Sequence, residues 1–180
     1  MTRAGPVTYS FLKTKLGTVL IGFRGRKVVF VSFGDSKRML ISQLKETFPA
    51  SGIEPSRSTS GIGSRVRSVI NGARSPTILI RANLDLNGTP FQRSVWRYLR
   101  TIPSGSTVSY GEVAAGIGRP RAIRAAASAC GKNKIAILVP CHRVICSNGR
   151  VGHYRWGSWR KRSLLQSERL KRTTPLSGLR

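Results

Sequence analysis

The chain is 180 residues long, enough for one domain or two small ones around a real core. Its apolar content of 39% and mean hydropathy of −0.16 suit a soluble globular protein. No apolar run approaches the roughly 20 residues of a membrane span. The charge is extreme: 32 Lys and Arg stand against 6 Asp and Glu, a net of +26. Such a chain is drawn to polyanions. No amphipathic basic helix with a broad apolar face stands out, so nucleic acid fits the charge better than a phospholipid surface. Met1-Thr2-Arg3 leads into strand-like residues without a signal-peptide core, and a cytosolic location is expected.

Residues 7–33 alternate as antiparallel strands do. Strands are expected at Val7–Phe11, Gly17–Phe23 and Val28–Phe33, the last two joined by a turn at Arg24–Lys27. A helix follows at 36–48, capped by Ser36, with Met39, Leu40 and Leu44 as its apolar stripe. The Ser/Gly-rich residues 50–63 read as a loop, 64–72 as a short helix and 77–85 as a strand. This half contains no chemical constellation.

The second half is better punctuated. Thr89-Pro90-Phe91-Gln92 has capping-box form with Pro at the first helical position, and Phe91, Val95, Leu99 and Ile102 repeat at helical spacing. Ser109-Tyr110-Gly111-Glu112 is a second capping box, opening a short helix that Gly116-Ile117-Gly118 breaks. Pro120 restarts a helix through Cys130, with Gly131 as a natural stop. The pair is a helix-turn-helix candidate. Its second helix carries alanines, with Arg121 and Arg124 among them, and such a helix can lie close against another helix or in a DNA groove. A last helix covers 158–170, capped by Ser158, and 171–180 reads as a frayed tail.

Cysteines occur at 130, 141 and 146 and histidines at 142 and 153, without CxxC or HExxH spacing, so free thiols and no metal site are expected. Ile135–Val139 reads as a buried strand that delivers Pro140-Cys141-His142-Arg143-Val144-Ile145. Thiols react as thiolates, and a nearby base makes one at neutral pH. Neighbours on an extended segment point to opposite sides, however, so a bare Cys-His pair is more often structural than catalytic.

The Pro140–Val144 string resembles the active-site signature of the O6-alkylguanine-DNA alkyltransferases. Gly88–Gln92, Val95-Trp96 and Thr107–Tyr110 stand at that family's spacing, and Arg155-Trp156-Gly157 looks closest to the alkyltransferase half of the bacterial adaptive-response regulators. The resemblance covers about Gly88 to Leu170. It implies an α+β fold with a ribonuclease H-like sheet-and-helix domain at 1–86. A mostly helical domain at 87–170 would hold the helix-turn-helix and the cysteine, with a flexible tail at 171–180.

By matching position, Cys141 is the alkyl acceptor and His142 takes its proton through a water. Glu168 orients His142, and Asn133 braces the turn between recognition helix and cysteine, a nucleophile, base and orienter arrangement. Arg124 would fill the gap left by a flipped base from the minor groove, while Tyr110 crowds the 3′ phosphate and donates to the purine. Arg121, Ala125, Ala127 and Ser128 complete the DNA-facing set, and Pro140, Val144, Gly152, Tyr154 and Arg155 line the pocket.

The implied reaction is a single, irreversible transfer of the alkyl group from O6-alkylguanine in double-stranded DNA, with O4-methylthymine as a second candidate substrate. It takes no cofactor and no metal. The protein would act as a monomer, in the cytoplasm of a bacterial or archaeal-type host or the nucleus of a eukaryote. Arg155-Trp156 is expected to narrow the pocket mouth and disfavour bulky adducts. Competing readings are a non-catalytic damage binder, which would lack the acceptor cysteine, a helix-turn-helix transcription factor, and a thiol hydrolase. The alanine-rich helix offers few side chains able to read base edges, and no acyl pocket is evident.

Overall fold

A computed structural model describes residues 5–56, 60–71 and 82–172. The predicted meander forms: β1 (Val7–Thr14), β2 (Gly17–Arg24) and β3 (Lys27–Gly34) pair antiparallel, with Phe11 opposite Leu20 and Ile21 opposite Val31. The helix expected after them is α1 (Lys37–Thr47), and Met39 N–H donates to its cap, the Ser36 hydroxyl. Residues 53–55, expected within a loop, instead form a fourth strand, β4 (Ile53–Pro55), parallel to β1. The sheet order is β3-β2-β1-β4, so β4 is an edge, where a proline is tolerated and Ile53 packs below.

Both faces of the sheet are covered, which is why β2 and β3 read as nearly unbroken apolar runs. The register slips between Gly22 and Phe23, making Val29 the extra residue, and Val29 and Phe30 both face Leu40, Leu44 and Phe48 on the α1 side. The opposite face presents Leu12, Val19, Ile21, Val31 and Phe33 to a larger cluster shared with the C-terminal elements. α2 (Ser60–Ile70) starts four residues earlier than its expected position at 64: Ile62 in the added turn packs on that cluster beside the buried Val66, Val69 and Ile70. Of the strand expected at 77–85, residues 77–81 lie outside the described residues, and Leu84 makes an isolated bridge to Val28.

The C-terminal part is mostly helical. Both capping boxes form, at Thr89 for α3 (Pro90–Leu99) and at Ser109 for α4 (Tyr110–Gly116). Trp96 Nε1 donates to the Ala129 carbonyl at 2.8 Å and ties α3 to the next helix, α5 (Ile123–Gly131). Pro120 does not restart that helix: Pro120 and Arg121 lie in the turn, and Ala122 caps α5 without a side-chain hydrogen bond. Gly131 is its last residue and not its stop. α4, the turn and α5 together have helix-turn-helix form. The last helix, α6 (Ser158–Arg172), begins at Ser158, whose hydroxyl donates to the Gly152 carbonyl instead of capping; residues 173–180 lie outside the described residues. Among the described residues no helix is long and apolar enough to cross a membrane.

α3 and α4 touch where Gly116 meets the Tyr98 ring, and a Cβ there would clash with that ring. Gly116→Ala is expected to lower the unfolding free energy by about 1–3 kcal/mol through overpacking. Gly131→Ala, whose Cβ meets nothing within 4 Å, should raise it by up to about 1 kcal/mol. Urea denaturation of the two variants checks both signs.

Candidate active site and DNA-facing helix

Residues 135–139 are buried, but they are not the strand their composition suggests. Ile135 makes a single bridge to Val31, and the chain then turns tightly. Leu138 N–H reaches the Ala136 carbonyl at 2.7 Å across Ile137, which has φ of 69°. A β-branched residue rarely adopts that left-handed conformation, and such strain persists only where the surroundings enforce it. Here Asn133 does much of the enforcing. Its Oδ1 accepts from Ile135 N–H at 2.9 Å, while its Nδ2 donates to the Val139 carbonyl at 2.9 Å and to Cys141 Sγ at 3.2 Å. One amide therefore closes the turn and holds the thiol.

Cys141–Arg143 form a single 3-10 turn, which puts the thiol and the imidazole on a compact bend. Two short parallel strands follow this logic: β5 (Val108–Ser109) pairs with β6 (Val144–Ile145), and Tyr110, the next residue after β5, is thereby brought beside the cysteines. Burial pushes the Tyr110 phenol up to about 12, with Cys130, Cys146 and Cys141 adding to the rise.

His142 is 1% exposed, and its Nε2 lies 3.0 Å from Glu168 Oε1. Glu168 also accepts from Arg143 Nη2 at 2.8 Å, Arg143 Nε at 2.9 Å and the Gly105 N–H at 3.1 Å. Arg143 Nη1 donates to the Ile102 carbonyl at 2.6 Å. Burial alone would raise the Glu168 carboxyl, but His142 and Arg143 outweigh it and hold it well below the usual carboxylate range. Burial lowers the His142 pKa, against the pull of Glu168 and with help from Arg143 and Lys161, so the ring is neutral at pH 7. A carboxylate can only accept, so the His142 proton sits on Nε2. Nδ1 is then a bare acceptor, and it has no hydrogen-bond partner in the protein.

Burial pushes the Cys141 thiol up to about 11, while Asn133, Lys161, its own backbone N–H and Arg155 pull it down. The net rise keeps the thiol protonated at pH 7. The site therefore pairs a protonated thiol with a neutral base. All three cysteines are free thiols.

On α5, Arg124, Ala125 and Ser128 are exposed, as is Arg121 in the preceding turn; Ala127 is half-buried, and Ala126, Ala129 and Cys130 face the core. Around the thiol, Pro140 and Val144 are buried, and Gly152 takes φ of 71°. Tyr154 is buried with its hydroxyl unpartnered, whereas Arg155 is exposed. Trp156 does not stand at a pocket mouth. It is buried against Phe33 and Tyr154, and its Nε1 donates to the Ser32 hydroxyl at 2.9 Å.

A family model described as the 6-O-methylguanine DNA methyltransferase DNA-binding domain matches residues 90–170. The solved O6-methylguanine methyltransferase of Mycobacterium tuberculosis superposes with a TM-score of 0.78 at 35% identity, over 95% of this chain and 96% of that one. The chain belongs to the O6-methylguanine-DNA methyltransferase family. The bifunctional transcriptional activator/DNA repair enzyme Ada of Escherichia coli is 42% identical over 162 residues, 90% of this chain and 45% of that protein. The regulatory protein ada of Salmonella typhimurium is 41% identical over 165 residues, 92% of this chain and 46% of that protein. The chain thus spans about half the length of these two relatives.

Two residues of this family member's site escaped the sequence reading. Arg143 stands directly after His142, yet nothing in the string says that it turns inward to Glu168. Lys161 is 1% exposed and donates from Nζ to the Val144 carbonyl at 2.6 Å. Its signal was its place seven residues before Glu168, two turns along the same face of α6.

These shifts set the acid side of the stability curve. His142 binds a proton less readily folded than unfolded, so its contribution is full above about pH 6.5 and lost as the pH falls below that. The Glu168 contribution is present above about pH 4.3 and is lost as the pH falls through its depressed folded value. The urea midpoint should therefore decline from about pH 6.5 downward. Glu168→Gln should remove the lower part of that decline and cost about 3–5 kcal/mol at pH 7, because Arg143 is left buried without its counter-charge.

Proposed function

We propose that this chain repairs O6-alkylguanine in double-stranded DNA by moving the alkyl group, methyl in the simplest case, onto Cys141 Sγ. One observation carries the reading: a buried thiol held by Asn133 next to a histidine whose Nε2 is committed to Glu168, leaving Nδ1 to act as base. The solved Mycobacterium tuberculosis relative in complex with DNA, with a TM-score of 0.78 at 33% identity over 91% of this chain, supports a DNA substrate.

In this mechanism Nδ1 of His142 takes the thiol proton through one water, and Glu168 stabilises the imidazolium that forms. The thiolate attacks the alkyl carbon in line. The carbon–oxygen bond breaks, its electron pair stays with the guanine, and the departing anion takes up a proton from solvent while the imidazolium returns its own to water. Tyr110 remains protonated at neutral pH and donates a hydrogen bond to the purine as charge develops. The thioether is stable and nothing regenerates the thiol, so each molecule acts once.

The damaged base reaches the thiol by rotating out of the stack, which costs a few kcal/mol and less for a poorly paired base. The exposed stripe of α5 lies in the minor groove, where its small side chains allow close approach and Arg124 takes the place of the extruded nucleotide. Arg121 and Ser128 meet the backbone beside Ala125 and Ala127. Pro140, Val144, Gly152, Tyr154 and Arg155 frame the flipped base. Val144 has one carbonyl lone pair engaged by Lys161 and offers the other to the guanine amine. The protein works as a monomer, and the net charge of +26 makes its DNA affinity steeply salt-dependent.

Intact mass after mixing with excess duplex carrying one O6-methylguanine should show a single methyl gain on Cys141, with repair stopping at one equivalent. Cys141→Ser should bind the duplex and stay unmodified. Repeated turnover, or unmodified wild-type protein on unrepaired DNA, would sink the reading. Because the His142 pKa is lowered, the transfer rate at saturating DNA should hold from pH 8 to about 6.5 and decline only below that. Stopped-flow or quench measurements across that range read it directly.

A further inference from the structure

β3 meets the acceptor site twice, through consecutive residues. Val31 N–H donates to the Lys134 carbonyl and the Ala136 N–H donates to the Val31 carbonyl, each at 2.9 Å, so one residue of the sheet grips the backbone on both sides of Ile135. Ile135 is the residue whose N–H Asn133 accepts, and that same Asn133 holds Cys141 Sγ. Val31 is thus three contacts from the thiol.

Ser32 follows. It is the one polar side chain between Val28 and Phe33, and it is 1% exposed. A hydroxyl in so apolar a strand is costly unless it is bonded. Here it accepts from Trp156 Nε1 at 2.9 Å and donates to Gln43 Oε1 on α1 at 2.9 Å. Trp156 in turn contacts Tyr154 edge-on, with centroids 5.1 Å apart, and packs on Phe33. A buried indole N–H takes a partner wherever one is available, and Ser32 is that partner. The loop that carries Tyr154 is therefore fixed to the sheet by a polar bond of defined length and direction. The acceptor turn is fixed to the same strand, one residue earlier.

We propose that Ser32 is a positioning residue for the alkyl transfer: with Val31 it makes β3 a template that sets the spacing between the Cys141 turn and the Tyr154–Trp156 wall. This rests on the transfer reaction proposed above. Ser32 touches neither DNA nor the alkyl group. It acts through Trp156, and it gives the N-terminal sheet a part in the chemistry beyond bulk support. A misplacement of about 1 Å between a nucleophile and the carbon it attacks can slow the reaction about a hundredfold, and a smaller one less.

The test is single-turnover transfer from saturating O6-methylguanine duplex by wild type, Ser32→Ala, Trp156→Phe and the double variant. Rate and amplitude are recorded separately, together with the Kd for the same duplex. The expected result is a rate about tenfold lower in either single variant, with full amplitude and unchanged Kd, and a double variant no slower than the singles. A merely structural role would lower the amplitude, which counts active molecules, and leave the rate of the remainder intact. That outcome, or rate losses that multiply in the double variant, overturns the proposal. Trp156→Phe cuts the same bond from the other side and is read alone should Ser32→Ala fold poorly. If the wild-type chain transfers nothing, the acceptor role of Cys141 fails first, whereas active wild type with equally fast variants sinks the positioning role alone.

Discussion

A carboxylate that is 4% exposed is tenable only if donors surround it, and the four around Glu168 organise the catalytic half. The donors come from two separated stretches, the Gly105 N–H beyond α3 and His142 and Arg143 on the acceptor turn, and Glu168 brings the last helix to them. Arg143 extends the same network to the Ile102 carbonyl, so the end of α3, the 3-10 turn and α6 are locked to one another by charge-assisted bonds. The chemistry depends on this lock. With Glu168 ionised and accepting, His142 must donate from Nε2, and its other nitrogen is left basic.

The thiol is tuned from the other side. Burial makes it a poor acid, which protects it from adventitious reaction, while Asn133 and the nearby Lys161 moderate the effect without ionising it. The arrangement suits a nucleophile used once, since it is unreactive at rest and activated only when a substrate carbon and a proton path are both in place. Elsewhere charge is abundant and weakly compensated. Of the acids, Glu112 completes a helix cap and Asp35 pairs with the buried Arg160, while most Lys and Arg side chains among the described residues are exposed. Such a surface holds duplex DNA without regard to sequence while the α5 stripe samples it for a base that leaves the stack easily.

Much of the fold was legible because local chemistry carries it. Both capping boxes, the Ser36 cap and the meander are short-range patterns with one physical solution each. Ile135–Val139 was misread for an equally physical reason. Periodicity reports burial, and a buried turn and a buried strand have the same composition; what separates them is Asn133, whose side chain bonds across six residues to Val139. β4 was missed because its pairing with β1 is parallel and distant in sequence. In the site, Cys141, His142, Glu168 and Asn133 were named from the family resemblance, since a bare Cys-His pair carries little by itself. The inward turn of Arg143, the burial of Lys161 and the core position of Trp156 are tertiary facts, since the same side chains on an exposed face would read identically.

The central claim is that the resting protein holds a neutral His142, protonated on Nε2, together with a protonated Cys141 thiol. Nitrogen-15 NMR of the protein labelled at histidine, recorded at pH 7, tests it most directly. The account predicts one ring nitrogen with the shift and one-bond proton coupling of a protonated Nε2, and a second, Nδ1, with the shift of a bare acceptor. Two protonated nitrogens on His142 would mean a resting imidazolium with no basic nitrogen left to take the thiol proton, and would contradict the account.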